Sequence, residues 1–339
     1  MPLPLIPVFL AVAAICSGGY GVKKGFDAKE DFATAKDIND KAVTIYDKAC
    51  KQLQKSRNAA KETLTALGNT KFLVYKNSLI PFVEAFSQIK AVDFQDKAIA
   101  DELKEMSISS DDLQEITQSA LNMQDVVGGG VAALGAGGLA GLAAYGGVGT
   151  LATASTGTAI ASLSGVAATN ATLAWLGGGA LSVGGLGVAG GTAVLGGIVA
   201  APVLAIGGMI LAAKAEEAKH NAFANRDKAR AAAQQMMTAK VATNAIQKRL
   251  AEIDHLLLKL DQLFQPLLSG LRSLVSSGCY DYNDYSLSDK KGVMMAVLLA
   301  KTMKNVLETP ILDKDGAITR ASRNVLVKTG QELDNINRM

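Results

Sequence analysis

Residues 126–213 contain no Lys, Arg, Asp or Glu, so all 34 basic and 31 acidic residues fall in the rest of the 339-residue chain. Of these 88 positions, 24 are Gly, 22 are Ala and only 26 are Val, Leu or Ile. A soluble domain of that length needs charge on its water-facing side, because one core cannot hide every face. An uncharged run long enough to cross a bilayer several times reads as a membrane segment. Large apolar residues contribute only about 0.3–0.6 kcal/mol each toward insertion. No single span here is strongly driven into lipid, so the spans must gain stability from one another.

That run splits the chain into five parts: 1–25, an apolar anchor or plug; 26–125, a helical arm; 126–213, the membrane-inserting segment; 214–276, a long heptad helix; and 277–339, a helical tail. The fold class this implies is all-α, with bundle or coiled-coil arms bracketing a Gly/Ala-rich apolar helical hairpin region. Residues 1–22 are uncharged and Lys23-Lys24 follows them. A secretory signal places its charge before the apolar stretch, so this order suits an anchor with its lysines on the cytoplasmic side, or a plug packed against the rest.

The arms show helical periodicity. In the first, Ala42, Tyr46, Ala49, Leu53, Ser56, Ala60 and Leu67 fall mostly three or four apart. Gly68-Asn69 reads as an interruption and Pro81 as a break or kink in a second stretch over 70–91. Ser109 followed by Asp111 and Asp112 reads as the capped start of a helix running into the apolar segment. In the second arm, Ile246, Leu250, Ile253, Leu257, Leu260, Phe264 and Leu267 form a 4-3 seam that continues to Leu271 and Leu274. Backwards, the same frame reaches Met236, Ala232, Ala229, Asn225, Ala222 and Ala218. The seam is therefore small-sided beside the apolar run and large-sided away from it. One helix over about 202–276 is expected, kinked at Pro266. The tail reads as a Tyr-rich loop at 280–285, a helix over about 288–308, a turn at 313–316 and a last helix capped by Thr319.

Inside the apolar run, Gly137 with Gly141, Gly157 with Ala161 and Gly165, and Gly187 with Gly191 are spaced four apart. Such spacing lets helices pack closely in lipid, where no hydrophobic force joins them. The Ser and Thr hydroxyls of 150–168 either line a wet path or bond to backbone carbonyls. Trp175 either marks a bilayer interface or fills a gap. A three-glycine match to the dinucleotide motif at Gly185, Gly187 and Gly190 is empty, because glycine saturates the segment and no acidic residue follows before Glu216.

Other chemistry is thin. Cys16, Cys50 and Cys279 are far apart, and His220 and His255 lack partners at ligand spacing, so no metal site is expected. No titratable constellation suggests catalysis and no cofactor is implied. A net charge of +3, with few aromatics, argues against nucleic acid as a partner.

Residues 145–199, from Tyr-Gly-Gly-Val-Gly-Thr through Leu-Ala-Trp-Leu-Gly-Gly-Gly, together with Gly-Gly-Tyr-Gly-Val-Lys-Lys-Gly at 18–25, resemble a family of uncharacterised bacterial proteins, some labelled chemotaxis proteins. The chain has no receptor signalling tip to match that label. In layout it is also similar to alpha-pore-forming toxins of the cytolysin A and haemolysin BL type, and to apolipoprotein L, though its hairpin is longer than the toxins'. The resemblance implies a bacterial protein and supplies no catalytic residues. The expected function is insertion into a lipid bilayer as a homo-oligomer, permeabilising or remodelling it, as a pore-forming toxin or defence effector would. The expected place is the inner membrane with cytoplasmic arms, or a soluble form that converts. The alternative is a membrane-anchored cytoplasmic adaptor that binds a protein partner through its tail.

Overall fold

In the computed structural model the described residues are 21–94, 108–130, 139, 141–144, 215–313 and 317–336. Side chains are described from residue 33 in the first helix and from residue 221 in the long second-arm helix, and Asp125 is left out. Among the described residues the fold is all-α with long helices and no strand, only two isolated bridges. We label the helices α1 (Gly21–Val74), α2 (Ile80–Phe86), α3 (Ser110–Gly128), α4 (Ala215–Ser276), α5 (Leu287–Glu308) and α6 (Arg320–Ile336). A π-helical turn, Tyr75–Leu79, joins α1 to α2.

The chain divides into two compact units, Met1–Arg57 with Ala200–Ala242 and Asn58–Val199 with Thr243–Met339. In unit 1, α1 and α4 meet through small residues. Ala35 and Ile38 pack with Ala222, and Ala49 and Leu53 pack with Ala232 and Met236. The numbering rises together along both helices, so the pair is parallel. Asn225 Nδ2 donates to Asn39 Oδ1 at 3.3 Å and Lys240 Nζ to Gln52 Oε1 at 3.0 Å. A polar Asn in an apolar seam specifies register at a cost in stability, and this Asn pair sits where the alanines supply no shape of their own.

Unit 2 holds the large core. The predicted seam residues Ile246, Leu250, Ile253, Leu257, Leu260 and Phe264 are all buried in it. Beyond Pro266 the buried positions become Leu268, Leu271 and Val275, while the predicted Leu267 and Leu274 are only partly buried at its margin. A straight α-helix drifts about 20° per heptad against a strict seven-residue repeat, so the buried stripe moves round the helix. α4 runs through Pro266, which lies on an exposed face where water can replace the forfeited amide bond.

Capping residues start the helices where the sequence pattern places them. Ser109 Oγ accepts from Asp112 N at 3.3 Å, and Asp112 Oδ2 accepts from Ser109 N at 2.9 Å, a reciprocal cap on α3. Ser286 Oγ caps α5 by accepting from Asp289 N at 3.2 Å, and Thr319 Oγ1 accepts from Ser322 N at 3.0 Å to start α6. α5 ends before Pro310, as expected. One expectation for the first arm is corrected: α1 passes through Gly68-Asn69 without a break. At Pro81 the regular α-helix is interrupted, since a π turn precedes it and α2 starts with the proline in its first turn. The π turn widens the backbone just before Pro81, with Ile80 N bonded to Tyr75 O, which relieves the crowding a proline ring imposes on the preceding turn.

The tail is also more central than a peripheral tail would be. α5 buries Val293, Val297, Met303, Val306 and Leu307 in the same core as the α4 seam, packs on α3, and carries α6 on another side. The bridge between Lys90 and Asp281 ties the segment after α2 to the Tyr-rich loop, with Lys90 N donating to Tyr280 O at 2.7 Å.

Candidate functional site

The described beginning of the apolar run lies inside unit 2. Val126 belongs to the amphipathic helix α3, buried with Ile116 and Met123, so the boundary predicted at 126 falls within a helix of the core. Leu139, Gly141, Leu142, Ala143 and Ala144 are buried as well, with 141–144 helical. Gly137, Gly157, Ala161, Gly165, Gly187 and Gly191 lie outside the described residues, as does most of 126–213. Among the described residues no helix is long and apolar enough to cross a membrane, and no group of His, Cys, Asp or Glu could hold a metal ion.

Gly68 explains how the run docks. A Cβ at this position would stand 2.0 Å from the Leu139 carbonyl oxygen and 2.9 Å from its Cα. Backbone meets backbone there, and any side chain would separate them. Gly in a helix interior costs about 1 kcal/mol relative to Ala, so this glycine is a packing residue and not the interruption its sequence context suggests. On the other side, the Ala144 carbonyl accepts two amides, Ile311 N at 2.7 Å and Leu312 N at 3.1 Å. Those amides come from the segment after α5, whose course is set by Pro310 and by a bond from Asp313 N to Ala317 O at 2.9 Å.

One turn beyond Gly68, Lys71 is completely buried, and its Nζ donates to the Leu307 carbonyl at 2.9 Å in the last turn of α5. An ammonium is favoured at a helix C-terminus by the exposed carbonyls there. Burial nevertheless disfavours the charge and brings the Lys71 amine down to about 7. A further turn on, Tyr75 OH and Ser119 Oγ share a 3.1 Å hydrogen bond that joins the π turn to α3. Burial pushes the Tyr75 phenol upward, against the Ser119 bond and with a contribution from Glu308. At the rim, Lys304 pairs with Glu115 at 2.6 Å and Glu308 at 3.2 Å, and Lys301 pairs with Asp112 at 2.9 Å. Burial opposes the Asp112 charge, but hydrogen bonds from Lys301 and Ser109 outweigh it and hold the carboxyl below its usual range.

Gly68 and Lys71 of α1 and Tyr75 of the π turn therefore form one stripe that meets the docked run, the end of α5 and α3 in turn. Sequence reasoning missed all three. The available signal was the frame itself, because Leu64, Leu67, Lys71 and Tyr75 stand three or four apart on a face that is otherwise apolar. The Ser78 hydroxyl donates to Asp261 Oδ1, and Gln265 Nε2 donates to Ser78 Oγ at 2.9 Å; no histidine joins them, and the trio serves to tie the π turn to α4.

No protein-family model, curated protein or solved structure matches the chain.

Proposed function

We propose that the chain inserts its uncharged run into a lipid bilayer and permeabilises or remodels it as a homo-oligomer. The observation that carries this reading is the 126–213 run without a charge, beside arms that hold every charged residue. The parallel pair in unit 1 supports it. The described part of α1 opens at Gly21 and that of α4 at Ala215, next in sequence to the uncharged residues 1–20 and 126–213. With Ala35 beside Ala222, both helix starts lie at the same end of the pair, so two uncharged segments of sequence lead into that end. A single membrane reached from the cytoplasmic side is the economical destination for both. The resemblance in layout to the alpha-pore-forming toxins points the same way.

The adaptor reading loses ground because the apolar face of α5 is built into the core of unit 2. Dye-filled vesicles distinguish the two. The protein is expected to release dye with a steep dependence on concentration, and Gly165→Asp to suppress release, since a central Asp costs about 2.5–3.5 kcal/mol on the insertion scale. Tight vesicle binding without leakage sinks the permeabilising proposal and leaves an anchored adaptor.

A further inference from the structure

In its described conformation the start of the apolar run is held by protein, and three features of the hold stand out. First, it depends on a glycine inside a long helix, a position where helix propensity favours almost any other residue. The neighbour that requires that glycine is backbone, which cannot rotate aside as a side chain can. Second, the docked residues bring only two large side chains, Leu139 and Leu142, while Gly141, Ala143 and Ala144 bring little. The surrounding core is filled by Tyr75, Phe82, Leu257, Phe264 and similar residues from α1, α2 and α4. Third, among the described residues the backbone bonds that join this turn to another segment converge on one carbonyl, that of Ala144.

A segment held by a steric niche, two buried leucines and one doubly bonded carbonyl has few ties beside the Phe-, Tyr- and Leu-rich core around it, so it can leave before that core opens. Resting on the membrane reading above, we infer that the surface formed by Gly68, Ile311 and Leu312 is a dock that retains the apolar run, and that undocking of Leu139 and 141–144 makes the run available to a bilayer. The occupant of this surface in the stored state is the chain's own run. Lys71 belongs to the same device through α5, since it grips the Leu307 carbonyl one turn before Ile311.

Two variants test this in the full-length protein. Gly68→Ala improves α1 as a helix while placing a methyl carbon against the Leu139 backbone. Amide exchange at 141–144 and 311–312 is expected to accelerate about tenfold or more, while protection along the α4 seam is kept. Dye release from phosphatidylethanolamine–phosphatidylglycerol vesicles is expected to accelerate with it. Gly270→Ala is the control, because its Cβ meets nothing within 4 Å. The second variant locks the dock with cysteines at Ala144 and Leu312, whose backbones are hydrogen-bonded, in a chain with Cys16, Cys50 and Cys279 changed to Ser. Oxidation should slow dye release, and a reducing agent should restore it.

Unchanged exchange in Gly68→Ala, failure of the cysteine pair to oxidise in the folded chain, or equal release from oxidised and reduced forms each overturns the dock. If the unmodified protein neither binds nor leaks vesicles, the membrane reading fails instead. Exchange and cross-linking then still report whether 141–144 is docked, so the two failures are told apart.

Discussion

α1 and α4 contribute to both units of this molecule but are packed on different terms in each. In unit 1 the buried positions are chiefly alanines, Ala35, Ala42 and Ala49 on one helix and Ala222, Ala229 and Ala232 on the other. In unit 2 the same helices bury Leu64, Phe72, Leu250, Leu257, Leu260 and Phe264 beneath α2, α3 and α5. A buried methylene contributes about 0.8 kcal/mol and a whole Leu or Phe about 1.5–3 kcal/mol. Unit 1 therefore has far less to lose on opening. Regular heptad spacing establishes that two helices can face each other, and side-chain volume decides how firmly they stay together.

The largest expected effect lies on the firm side. Leu257→Ala or Leu260→Ala should each cost about 2–5 kcal/mol, read as a lowered denaturant midpoint, because both are fully buried. Unchanged midpoints would erase the contrast between the units. Overfilling the other side comes next. Ala222→Leu or Ala232→Leu should destabilise by about 1–3 kcal/mol through crowding. Hydrogen exchange should show the loss confined to unit 1, with Leu250 and its neighbours still protected. A global loss would mean that the two units open as one.

A smaller effect follows from Lys71, and its sign is fixed by the direction of its shift. Folding lowers this amine from its ordinary 10.5 to about 7, so between those values the unfolded chain binds more protons. Stability contributed through this group rises with pH across that window, by at most about 1.4 kcal/mol per pH unit, and is flat below it. Asp112 acts in acid instead. Its depressed carboxyl adds stability above its unfolded value and loses it as pH falls through the folded one. Lys71→Met should flatten the alkaline slope and leave the acid limb intact. An unaltered slope between pH 7 and 10 would show that the amine is not buried as described.

The smallest effects are gains. Gly270→Ala, Gly292→Ala and Gly330→Ala place a methyl group in open space within helices of unit 2, and each should add about 0.5–1 kcal/mol. A loss at any of them would reveal a neighbour at close range.

Much of this architecture was legible in the residues. The seam from Ile246 to Phe264 and the caps at Ser109 and Thr319 follow from spacing and from the need to satisfy the first amides of a helix. Leu268 and Val275 were not legible, because heptad counting ignores the drift of a straight helix. Gly68 was misread because a helix-interior glycine carries the same letter whether it breaks a helix or admits another backbone. Lys71 escaped notice because charge ordinarily reports exposure. For the candidate site, composition could not separate burial in lipid from burial in protein, since both select small uncharged residues. Hence the docking of Leu139 and Leu142 became visible only from their neighbours.

The parallel pair in unit 1 also sets a timetable. Asn39 and Asn225 are 186 residues apart in sequence. At a synthesis rate of about 5–20 residues per second, the first helix waits on the order of 10–40 seconds for its partner to be made. Throughout that interval the α4 residues that pack on its alanine face, Ala222, Ala232 and Met236, are not yet made. Contacts this distant along the chain form late and slowly. Whatever binds the first helix in that interval meets it before α4 does, and the pair closes last.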